Sequence, residues 1–175
     1  IDEIGLMVTY VDDSGFVGFN GIGGWDPEML PGQHVFIRTS KGRITGVLGK
    51  KPIHLIKAEE RGKPSKMDSM WIDIGAKNKK EALKHVSIGD PMVLAYEPRE
   101  LLNDLMVSRG MDDKAGAFVV LEAARLLSKM KINAEVYAVA TVQEEIGLRG
   151  STTSAYALNP KVGIACDLMF ATDSP

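Results

Sequence analysis

The acidic residues stand in a pattern that could do chemistry. Asp112-Asp113 lies just ahead of an amphipathic run, Glu144-Glu145 directly follows an apolar run from Glu135 to Val142, and Asp167 closes another from Lys161. Taken singly, each has an ordinary role. An Asp before a helix caps free backbone N–H groups, and an acid after a strand is a solvated loop end. Taken together, they fall where open α/β sheets build sites, outside the carboxyl ends of the strands. Carboxylates crowded at one edge repel one another, and divalent cations are the simplest compensation. Carboxylates alone suit magnesium or calcium, whereas added imidazoles favour zinc or its neighbours.

Other chemistry finds less support. His34, His54 and His85 are scattered through the first half without metal-ligand spacing, and no His-Glu-x-x-His pair exists. Gly21-Ile22-Gly23-Gly24-Trp25 has the wrong glycine spacing for a dinucleotide fingerprint. There is no Walker A motif and no Gly-x-Ser-x-Gly elbow. Cys166, the single cysteine, is flanked by apolar residues and is expected to be an inert core thiol inside a strand. It excludes an internal disulfide and a cysteine-rich zinc site.

The elements that must position these acids come in two textures. From Gly5 to Pro98 the signals are β. Leu6–Val11 and Phe16–Phe19 flank the turn Asp12-Asp13-Ser14-Gly15, and His34–Thr39 and Arg43–Leu48 flank Ser40-Lys41-Gly42. Trp71–Ile74 and Met92–Tyr96 add short strands, Lys79–His85 a short helix, and the polar stretch Lys57–Asp68 a mobile loop. Many short strands with one helix predict a small barrel or sandwich. From Leu101 the pattern is α/β. Val119, Ala123, Leu126, Leu127 and Met130 form a helical stripe, and Ser151–Leu158 a short helix stopped by Asn159-Pro160. Strands at Glu135–Val142 and Lys161–Asp167 around that helix predict a right-handed parallel crossover.

The chain has 175 residues and a formal net charge of -2, with 45% hydrophobic and 25% charged residues. That is ordinary for a globular domain and gives no reason to expect nucleic acid or a membrane surface as partner. Ile1-Asp2-Glu3-Ile4 shows neither the basic nor the apolar region of a secretory leader. With one cysteine, the expected compartment is the cytoplasm. The chain opens within a strand-like run without an initiating Met, and Thr172-Asp173-Ser174-Pro175 follows another such run. A piece of a longer protein is therefore expected.

Four blocks carry a family resemblance: Asp2-Glu3-Ile4-Gly5, Ser108-Arg109-Gly110-Met111-Asp112-Asp113-Lys114-Ala115-Gly116, Val142-Gln143-Glu144-Glu145-Ile146-Gly147-Leu148-Arg149-Gly150, and Cys166-Asp167. In this order they resemble metallopeptidase family 42. These are the tetrahedral, glutamyl or deblocking aminopeptidases, some of which carry the label endoglucanase. The resemblance implies residues 1–4 at the edge of a catalytic domain and residues 5–98 as an inserted PDZ-like dimerisation domain. Residues 99–175 would be a partial parallel-sheet α/β catalytic domain. It implies two divalent metal ions, zinc first, with cobalt or manganese as alternatives. Asp112 would bridge the metals, Glu145 and Asp167 would each bind one, and Glu144 would be the general base and then the acid. Asp2 would hold a metal-bound histidine; that histidine and one further histidine ligand would lie outside the chain. The 175 residues alone would then bind metal poorly and be inactive. Asp113 is expected to remain a helix cap. The implied activity is removal of N-terminal residues from short peptides, in a dodecamer built from dimers.

Two other classes remain open. A glycoside hydrolase using Glu144 with a second acid predicts activity that survives chelation, but leaves the additional acids without a role. A non-catalytic assembly or peptide-binding protein working through its β half predicts binding without turnover after Glu144→Gln.

Overall fold

The β half folds because its short strands bury one face and expose the other. The computed structural model describes residues 3–60 and 62–172. The chain divides into two compact units, one of Ile4–Glu97 and one of Ile1–Glu3 with Pro98–Pro175.

In the first unit, strands β1 (Gly5–Val11), β2 (Val17–Ile22), β3 (His34–Thr39), β4 (Gly42–Lys50), β5 (Met70–Asp73) and β6 (Pro91–Leu94) close into a barrel. The order is β1-β2-β5-β4-β3-β6, and every pairing is antiparallel. Closure removes the unpaired edges that an open sheet would present. Leu6 and Val8 point inward with Met7 outward, and Val35 and Ile37 repeat the alternation on β3. With Val17, Leu48 and Ile72 they form a core without a buried polar side chain among the described residues.

Both expected hairpins form, and their turns show why. Asp12 Oδ1 accepts the Phe16 N–H at 2.9 Å, and the Gly15 N–H donates to the Asp12 carbonyl at 3.1 Å. In the second turn, Thr39 Oγ1 accepts the Lys41 N–H at 3.1 Å and donates to the Gly42 carbonyl at 2.8 Å. These local side-chain bonds replace ladder bonds where the chain reverses. Helix α1 (Lys79–Ala82) starts at Asn78, whose Oδ1 accepts the Glu81 N–H at 3.0 Å. It buries Ala82, and Val86 follows it into the core. Between Lys57 and Asp68 the described residues contain short 3-10 turns.

The second unit is built on helices α2 (Met111–Leu127) and α3 (Arg149–Leu158). Ahead of them, the short pair β7 (Arg99–Glu100) and β8 (Met106–Val107) is closed by Asn103 and Asp104, both at positive φ. α3 ends at Asn159 in the left-handed region, as the Asn-Pro signal implies.

Three expectations for this unit need correction. Among the described residues, Glu135–Val142 and Lys161–Asp167 form no ladder and no parallel pair, so the parallel sheet is not formed. A strand exists only through a paired neighbour, and the apolar residues here face outward: Ile164 is 91% exposed. Cys166, expected in the core, is exposed for the same reason. Of the expected stripe, Val119, Ala123, Leu126 and Met130 are exposed as well, and Leu127 alone is half-buried. The half-buried face runs through Ala117, Val120 and Ala124 to Leu127. Apolar residues, including Phe118 and Leu121, lie all round this helix, so periodicity could not select the packing face. No helix among the described residues is long and apolar enough to cross a membrane.

Candidate metal centre

The first acidic block is a loop that becomes a helix one turn later than its ladder suggests. Gly110 adopts φ 63°, and Asp112 and Asp113 keep non-helical dihedrals, φ -82° with ψ 112° and φ -117° with ψ 48°. The peptide bond joining the two acids is cis. Asp113 Oδ1 accepts the Gly116 N–H at 2.9 Å, which is the N-cap role assigned to it from sequence. A Cβ on Gly116 would lie 2.3 Å from that oxygen, so the capping carboxylate occupies the space that a side chain would take. The Asp-Asp-x-x-Gly spacing thus has a local cause. The second Asp caps, the Gly makes room for it, and the first Asp is left to point elsewhere.

The second block is a tight turn into α3. The Glu144 carbonyl accepts the Gly147 and Leu148 N–H groups, both at 3.0 Å, and the Val142 carbonyl accepts the Gly150 N–H at 2.9 Å. Gln143 and Leu148 both take positive φ, 57° and 56°. Such conformations cost energy and persist where the surroundings enforce them. A Cβ on Gly150 would fall 2.4 Å from the Val142 carbonyl, so only glycine allows the helix to approach the incoming chain this closely. Glu144 and Glu145 are therefore held, half-buried, at the head of the turn.

Asp167 joins the first block in space. Ligand oxygens of Asp112, Asp113 and Asp167 all lie within 4.8 Å of one another. Asp167 also accepts the Leu168 N–H through Oδ1 at 2.8 Å, which fixes its rotamer. Partial desolvation, followed by the charges of Asp167 and Asp113, holds the Asp112 pKa above the usual aspartate value. Asp113, Glu144 and Asp167 line one cavity of about 660 Å³, together with Tyr137, Leu148 and Cys166. A compact set of carboxylates whose charges oppose one another fits a divalent cation, which would relieve that repulsion.

The structure brings Asp112 and Asp167 together, with Asp113 in the same group. Glu145 does not belong to that group among the described residues, and Glu144 reaches the shared cavity. Asp2 and Asp173 lie outside the described residues. His34, His54 and His85 are exposed on the barrel unit. Asp113 was missed as a group member because its capping role is complete in itself. Its neighbour Asp167 is distant in sequence, so only the fold shows their proximity.

A family model described as M42 glutamyl aminopeptidase matches residues 1–175. The chain is 38% identical over 173 residues to the lysyl aminopeptidase of Pyrococcus furiosus, covering 98% of this chain and 49% of that protein. A TET aminopeptidase from a marine sediment archaeon of the Thaumarchaeota superposes with a TM-score of 0.95 at 38% identity, covering 99% of this chain and 50% of that one. The TET1 peptidase of Pyrococcus horikoshii, described as able to assemble into a tetrahedron or a large octahedral shell, gives a TM-score of 0.79 at 37% identity over 88% of this chain and 46% of its own. The chain spans about half the length of the curated relatives it matches.

Proposed function

The chain belongs to the M42 glutamyl aminopeptidase family, and from that premise we propose that it carries the metal-binding acids of a metal-dependent aminopeptidase acting on short peptides in the cytoplasm. The observation that carries this reading is the convergence of Asp112 and Asp167, from separate elements, within 4.8 Å. Asp112 would be among the residues that hold two divalent ions, zinc first. Asp167 and Glu145 would complete the acidic ligands, and Asp2 would orient a histidine ligand. Bound there, the ions would polarise the scissile carbonyl and lower the pKa of a water.

The remaining work falls to the chain's own residues. Glu144 accepts a proton from the attacking water at a carboxylate oxygen and delivers it to the leaving amine nitrogen. It must stay off the ions to do so. Glu145 takes the ligand task and Glu144 the proton transfer. The acids also offer negative charge to the free α-amine of a substrate, which supports exopeptidase over endopeptidase action.

The barrel unit is the inserted, PDZ-like element through which subunits pair. A dodecamer built from such pairs is the assembly proposed, by analogy with the shells formed by the Pyrococcus horikoshii relative.

The test uses the whole protein as the cell makes it. A panel of aminoacyl-p-nitroanilides is assayed before and after chelation, with zinc, cobalt and manganese added back. Cleavage lost on chelation, restored by metal and abolished by Glu144→Gln is expected. Cleavage indifferent to chelation would overturn the proposal.

A further inference from the structure

The loop carrying Asp112 and Asp113 is held by a residue to which neither the acid pattern nor the proposed chemistry gives a role. Glu3 Oε1 accepts from Arg109 Nη1, and Glu3 Oε2 accepts from Lys114 Nζ at 2.8 Å. One carboxylate thus grips both ends of the segment 109–114, with the acid pair between the two cations. The Glu3 side chain is 21% exposed and that of Arg109 32%, so this ion pair is partly withdrawn from solvent. Such charge-assisted pairs are stronger and more directional than exposed ones.

The backbone between the grips is built around the same carboxylate. Gly110 sits at φ 63°, and a Cβ there would lie 2.0 Å from Glu3 Oε2. The Lys114 N–H closes the turn onto the Gly110 carbonyl at 3.3 Å. Glu3, Gly110 and Lys114 therefore meet at one point. Asp112 and Asp113 lie outside helical dihedrals within this i→i−4 turn, and Asp113 is held further by its cap on the Gly116 N–H. The turn that carries them is gripped at both flanks by Glu3.

Resting on the aminopeptidase reading, we propose that Glu3 is a positioning residue for the metal centre: by clamping Arg109 and Lys114 it sets where the carboxylates of Asp112 and Asp113 stand. Residues that orient ligands from behind typically change metal affinity by about 10–100-fold when removed. A residue that merely held the fold would lower stability and leave affinity unchanged.

The experiment measures zinc and cobalt dissociation constants by chelator competition on the whole protein, alongside the melting temperature of the metal-free form. Glu3→Gln keeps the side-chain volume and removes the charge. It is expected to weaken metal binding about 10-fold or more, with kcat reduced at limiting metal and recovered at excess metal while KM stays unchanged. Lys114→Met loosens one grip at a half-exposed position and is expected to give a smaller loss in the same direction. Wild-type affinity in a folded Glu3→Gln protein would overturn the proposal, as would a lower melting temperature with unchanged affinity. If Glu3→Gln does not fold, unchanged affinity in Lys114→Met overturns it and weakened affinity supports it. Absence of metal binding by the wild-type protein would overturn the aminopeptidase reading as well; wild-type binding with unaltered variants would remove only the role of Glu3.

Discussion

Asp112 holds its proton more tightly than a solvated aspartate, because partial desolvation and the charges of Asp167 and Asp113 all oppose ionisation. The sign of the consequence follows from proton linkage. In the metal-free protein the folded state keeps this proton at a pH where the unfolded chain has released it. Stability therefore falls as pH rises from about 4, the ordinary aspartate range, through the raised value. Asp112→Asn should have a higher metal-free melting temperature than wild type at neutral pH, and the difference should shrink at acid pH. A difference independent of pH would contradict this. At Gly116, substitution by Ala places a Cβ 2.3 Å from the capping oxygen of Asp113. The lost cap should cost about 1 kcal/mol or more in chemical denaturation and weaken metal binding; unchanged stability and affinity would refute the packing argument. At this scale the sequence was informative where a motif has a local cause. The capping Asp113 and the acids at segment ends were legible because loop entries and strand ends are chemically marked. The grip of Glu3 on Arg109 was not, since no local pattern joins residues so far apart in the chain.

Elements were legible in proportion to how clearly one face differs from the other. β1 and β3 carry the apolar runs Leu6-Met7-Val8 and Val35-Phe36-Ile37 between marked turns, so the strands and their hairpins could be expected, while the inward face is decided by closure of the barrel. Ile72 on β5 is fully buried between β2 and β4. Ile72→Ala should cost about 2–5 kcal/mol, read as a shifted denaturation midpoint of the whole protein; a cost below about 1 kcal/mol would show that the barrel core repacks freely. α2 is the opposite case. With apolar residues on most of its circumference, the stripe through Val119 and Leu126 and the face through Val120 and Ala124 were equally apolar choices, and only packing distinguishes them. Glu135–Val142 and Lys161–Asp167 have strand composition without ladder partners among the described residues. Composition can mark a segment fit for a sheet; it cannot supply the neighbour that makes it a strand. Gly150 shows the reverse, an element end fixed by a steric limit. Gly150→Ala would press a methyl group 2.4 Å from the Val142 carbonyl, and loss of activity with a displaced α3 is the expected result.

At the scale of the molecule, the chain supplies a complete barrel and a helical unit bearing the acids, across about half the length of its curated relatives. The carboxylates alone fit a cation, and the proposed zinc centre would take histidines as well. On that proposal, these residues in isolation are predicted to bind metal weakly. The most direct test is a metal titration of the chelated whole protein, following bound zinc or cobalt and cleavage of a preferred aminoacyl-p-nitroanilide together, with Glu144→Gln in parallel. Activity should climb to a plateau at two metal equivalents per subunit, and Glu144→Gln should bind the same two without turnover. Full activity in the chelated protein, or a Glu144→Gln variant that cleaves at the wild-type rate, would contradict the account.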